Sequence, residues 1–119
     1  MTYSYLLSLN REVQQHGGHL AVVLIPREVQ VEPSRVLPYV YGDENPPSLD
    51  LELPNRQLAH FLDVNRIPYL DLLPALRPLA KGHPLYKYRG NDIHWNEVGL
   101  KASARLTLYW LLSLQSRSY

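Results

Sequence analysis

The chain has no cysteine. That excludes a disulfide framework, a thiolate metal site and a cysteine nucleophile, and leaves the compartment open. An excess of either charge sign is also lacking: the net charge is +1, so nothing points to nucleic acid or an anionic membrane surface. No apolar run reaches the roughly 20 residues that cross a bilayer. The opening "MTYSYLLSLNREVQQ" has neither a basic start nor a small-residue cleavage site, so no signal peptide is expected. There is no internal repeat and no low-complexity segment. What remains is ordinary: 119 residues, 45% apolar and 19% charged, which fits one domain with a real core.

Residues 3–16 read as a helix, because Leu6, Leu9 and Val13 make one apolar stripe and Gly17–Gly18 stops it. "HLAVVLIP" follows. Its run at 19–25 is apolar and β-branched, as in a strand covered on both faces, and Pro26 ends it. The connection 27–54 carries five prolines and the turn-forming "YGDENPP", so only short helical turns are expected there. A loop of that length is usually functional or mobile, and small-ligand binding there is one weak reading. Residues 55–65 read as a helix, 66–72 as a second strand, and "LPALRPLAKG" as a short helix broken at Pro78 and closed by Gly82. The last segment, 96–114, alternates like a strand, yet its start marks a helix. Asn96 is a good N-cap, Glu97 suits the helix dipole, and Trp95 and Leu100 occupy the hydrophobic-staple positions. The order implies an α/β fold with a short parallel sheet between helices. Two or three strands leave that sheet nearly all edge, so further strands are expected outside this chain.

The chemistry concentrates in "GNDIHWN", residues 90–96. In an extended backbone, Asp92 and His94 project to the same side. The carboxylate can then hold an imidazole N–H, as the acid of a Ser-His-Asp triad does. Two other readings stand beside this one. Asp92 can be a turn residue after Gly90–Asn91, with His94 a half-buried residue before a cap. A metal site would need further ligands, and His16, His19, His60 and His83 show no ligand spacing, so neither metal nor cofactor is expected.

Three stretches resemble SGNH (GDSL-like) hydrolases. They are "HLAVVLIPREVQV", "NRIPYLDLLPAL" and "PLYKYRGNDIHWNEVGLKASA". The likeness runs from about residue 19 to residue 112. It is to the C-terminal half of the fold, and closest to the bacterial branch that includes alginate O-acetylation proteins. The resemblance implies a partial three-layer α/β/α, flavodoxin-like fold, one domain over 1–119 that forms the C-terminal portion of a larger one. It implies Asp92 as orienting carboxylate and His94 as general base. Asn96 and Gly99 match the start of the family's helix, as a cap and a close backbone approach. One residue separates Asp from His here, where the commonest family pattern has two. No G-D-S follows a strand, and no serine sits on a strand-to-helix elbow between glycines. The expectation is therefore a fragment of an esterase or acyltransferase whose serine lies upstream. It would act on an acyl ester or carbohydrate ester only in the complete protein. The alternative is a non-catalytic α/β module that works by association, with the sheet edge and the apolar last helix favouring a homodimer.

Overall fold

The computed structural model describes residues 2–42, 48–87 and 94–116. Helix α1 (Thr2–Gln15) leads to strand β1 (Val22–Leu24). Helices α2 (Glu28–Val31), α3 (Pro33–Tyr41) and α4 (Leu53–Val64) precede strand β2 (Tyr69–Asp71). Helices α5 (Leu73–Gly82) and α6 (Glu97–Gln115) complete the order.

The two strands pair in parallel, Val22 opposite Tyr69, Val23 opposite Leu70 and Leu24 opposite Asp71. Side chains alternate across this small sheet and so feed two separate cores. Val22, Leu24 and Tyr69 face Leu58, Phe61 and Leu62 of α4, with Leu6 of α1 and Ile67. Val23 and Leu70 face Leu73 and Leu76 of α5, Ala102 and Leu106 of α6, and Val31, Leu72, Leu85 and Tyr86. The result is helices, sheet, helices: the three-layer α/β/α arrangement, with two strands among the described residues. The apolar run at 19–25 is expected to be covered on both faces, yet among the described residues only Leu24 of it is buried, with Val22 and Val23 half-buried and His19, Ala21 and Ile25 exposed. Only its middle is strand, because Ile25 is 67% exposed and has no neighbouring strand to pair with among the described residues. The second strand is likewise shorter than 66–72.

Two expectations about proline fail. The connection after β1 holds more than short turns, since α3 is nine residues long. Pro33 at its start needs no N–H donor, and its fixed φ suits a first turn. Pro38 sits inside α3 and Pro78 inside α5, and neither helix breaks. α3 buries none of its residues, so the carbonyl that Pro38 leaves without an amide partner has water close by. α5 is held instead by packing, with Leu73 and Leu76 buried ahead of Pro78. Gly82 is simply its last residue, and His83 turns the chain into extended backbone with its N–H on the Leu79 carbonyl at 3.2 Å. Gly17 does stop α1. Its φ is +80°, which suits a residue without Cβ, and the Gly18 N–H turns back to the Val13 carbonyl at 2.9 Å.

Candidate active site

The carboxyl ends of β1 and β2 open on one end of the sheet, where reactive groups gather in open α/β folds. Two polar assemblies stand there. The first ties the long connection to β2. Asp71, the last residue of β2, accepts the Asn55 amide at 2.9 Å and the Leu73 N–H at 3.0 Å. Asn55 in turn accepts from the Gln30 side chain at 2.8 Å, and Gln30 also donates to the Leu51 carbonyl at 2.7 Å. Arg77 donates to the Gln30 carbonyl at 2.9 Å and pairs with Glu52. Gln30 is buried, so each of these contacts offsets the cost of taking an amide out of water. Asp71 thereby starts α5 and holds α4 at once.

The second assembly positions His94. Tyr86 and Trp95 form an isolated antiparallel bridge. Beside it the Lys87 N–H donates to the His94 carbonyl at 2.9 Å. The buried Tyr86 hydroxyl donates to the Pro26 carbonyl at 3.1 Å, immediately after β1. The backbone of the 86–87 and 94–95 segments is thus held near the carboxyl end of β1 through Tyr86. Its own side chain lies on the surface. Burial pushes the Tyr86 hydroxyl up to about 12, helped by the nearby Glu32 and Glu28 carboxylates and opposed by the Trp95 indole. It stays a neutral donor at any physiological pH.

The helix start that follows is built as the sequence implies. Asn96 accepts the Gly99 N–H at 2.9 Å as N-cap of α6. Its amide donates to the Pro84 carbonyl at 2.8 Å, and its backbone N–H donates to the Leu85 carbonyl at 2.9 Å. Gly99 is packed so closely that a Cβ there would stand 2.1 Å from the Leu85 oxygen. Only glycine allows α6 to approach the 84–86 backbone this far. Trp95 packs on the core, whereas Leu100, its partner in the expected staple, is mostly exposed; both line one groove.

Asp92, with Gly90 and Asn91, lies outside the described residues, so the geometry of the Asp92–His94 pair does too. Among the described residues, no group of His, Asp and Glu stands together as a metal site would require. Nor is any helix there long and apolar enough to cross a membrane. Sequence reading missed Tyr86, Glu32 and the Gln30–Asn55–Asp71 chain. Glu32 is buried and accepts the Leu85 N–H at 3.2 Å. The one signal for Asp71 was its place at the end of an apolar strand.

The family model for the SGNH hydrolase-like domain of acetyltransferase AlgX matches residues 2–111. The chain belongs to this family. No curated protein and no solved structure matches it. Membership accounts for a parallel sheet between helix layers.

Proposed function

We propose that this chain is one part of an SGNH-like esterase or acyltransferase site, to which it contributes Asp92 and His94. The observation that carries this reading is the fixing of His94. The His94 carbonyl accepts from the Lys87 N–H beside the Tyr86–Trp95 bridge, whose tyrosine reaches Pro26, and this backbone placement near the strand end supports the reading. In the working site Asp92 accepts the N–H of one imidazole nitrogen. The other nitrogen takes the proton of a serine hydroxyl as that oxygen attacks the acyl carbon. The proton passes to the departing alkoxide, and an acyl-serine remains. Water then hydrolyses it, or a sugar hydroxyl takes the acyl group in the acyltransferase variant.

The serine and the oxyanion donors come from a segment outside these residues. Members of such a unit act together, so the 119-residue chain alone has no useful turnover. The test is hydrolysis of short-chain aryl esters, together with labelling by a serine-reactive phosphonate. Background rates and no label are expected. Robust turnover that disappears in His94→Ala would show that the chain holds its own nucleophile and would overturn the two-part site.

A further inference from the structure

The backbone around His94 is held from behind at two consecutive residues. Leu85, Tyr86 and Lys87 run opposite Asn96, Trp95 and His94, through the Asn96 N–H to Leu85, the Tyr86–Trp95 bridge and the Lys87 N–H to His94. From this pair of segments the Tyr86 hydroxyl reaches the Pro26 carbonyl, and the Leu85 N–H reaches Oε1 of Glu32 at 3.2 Å. Pro26 and Glu32 stand on either side of α2, so the short helix is a bar with one tie at each end. The bar is itself fixed. The Arg27 N–H donates to the Gln30 side chain at 2.9 Å, Gln30 donates to Asn55, and Asn55 donates to Asp71 at the end of β2. Arg77 of α5 holds the Gln30 carbonyl from the other side.

Glu32 is the unusual member of this frame. It is only 6% exposed, and its second oxygen, Oε2, is buried with no hydrogen-bond partner. Leaving a buried carboxylate oxygen without a partner costs free energy. A side chain kept there for stability alone would be better replaced by an apolar one. What Glu32 does hold is the Leu85 peptide, whose freedom is otherwise spent: its carbonyl takes the Asn96 N–H at 2.9 Å and lies against Gly99. Leu85, Tyr86 and Lys87 are in register with Asn96, Trp95 and His94, so a shift of Leu85 is carried to His94. We propose that Glu32 is a positioning residue of the site, whose carboxylate sets the placement of the 85–87 segment and through it the backbone of His94. The proposal deepens the two-part site and rests on that reading for its effect on turnover.

The test compares Glu32→Leu, which keeps most of the volume and removes the acceptor, with Glu32→Gln, which keeps an acceptor. Amide hydrogen exchange in the 119-residue chain reads the frame directly. In Glu32→Leu the Lys87 and Asn96 amides are expected to exchange about tenfold faster, the equivalent of one ordinary hydrogen bond. The Ile67 amide, bonded to Leu62 in the other core, is expected to keep the parent rate. Glu32→Gln is expected to restore parent rates throughout. If Glu32→Leu does not fold, Glu32→Asp, one methylene shorter, carries the same expectations. An equal acceleration at Ile67 would make Glu32 a general support of the fold and overturn the proposal. Parent rates at Lys87 and Asn96, or no rescue by Glu32→Gln, would overturn it too. In the complete polypeptide, Glu32→Leu is expected to lower kcat for a short-chain aryl ester about tenfold with KM unchanged, and Glu32→Gln to restore it. Absence of turnover in the complete parent protein sinks the two-part site, whereas turnover that Glu32→Leu leaves intact sinks only the role of Glu32.

Discussion

Replacing Gly99 by alanine sets two ordinary rules against each other. Helix propensity alone favours Ala over Gly by about 1 kcal/mol. The local geometry opposes this. The new Cβ would lie 2.1 Å from the Leu85 oxygen and 3.0 Å from Cδ1 of Trp95, so the first turn of α6 must move by more than an ångström from the 84–86 backbone. Overpacking of this kind costs about 1–3 kcal/mol. The same displacement stretches the Asn96 N–H bond to Leu85, now 2.9 Å, and the cap that Asn96 makes to residue 99. Losing those two adds about 1–2 kcal/mol. The net expectation is destabilisation of about 2 kcal/mol, or a melting point lower by roughly 6–10 °C for a domain of this size. Urea unfolding followed by far-UV circular dichroism measures it, with Ala104→Gly as the reference for propensity alone. A Gly99→Ala protein as stable as the parent would refute the reasoning, because the close approach would then be something the fold can relax without cost.

Three further outcomes follow from the same region. Asn96→Ala removes the cap and the amide donation to Pro84, and should cost about 2 kcal/mol in urea unfolding, whereas Asn96→Asp, which keeps the cap acceptor, should cost about half. His94→Ala should stay within about 0.5 kcal/mol of the parent by the same assay, since the side chain is exposed and the clamp to Lys87 uses only backbone. Tyr86 sets a pH dependence. Its hydroxyl is held up to about 12 when folded, against about 10 in an unfolded chain, so the folded state keeps that proton longer. The stability it contributes is complete below about pH 10 and is lost as pH rises towards 12. Stability measured from pH 9 upward should fall more steeply in the parent than in Tyr86→Phe; parallel curves would remove Tyr86 as the cause.

Much of this was legible in the chain because it depends on neighbours in sequence. The Asn96 cap, the stop at Gly17 and the existence of strand β1 each follow from a few adjacent residues. The close approach at Gly99 was available only through family likeness, since no local pattern names Leu85 as the neighbour. The prolines misled for a physical reason: Pro38 and Pro78 break an isolated helix, but a solvated face in α3 and buried leucines in α5 tolerate them. The tie from Tyr86 to Pro26 spans 60 residues, and that from Gln30 to Asn55 spans 25. Contacts at such separations leave no periodicity to read.

The division of the strand residues between two cores has a consequence for how the molecule comes apart. Val23 and Leu70 belong to the α5 and α6 side, and Val22, Leu24 and Tyr69 to the α1 and α4 side. The apolar contact between the two helical layers runs through these few residues, while the polar ties Gln30–Asn55 and Arg77–Glu52 join the layers at one end of the sheet. The sheet acts as a mechanical linkage: whatever loosens one layer reaches the other as a change in the set of its strands. Alternate positions along one short strand therefore choose which layer feels a disturbance first.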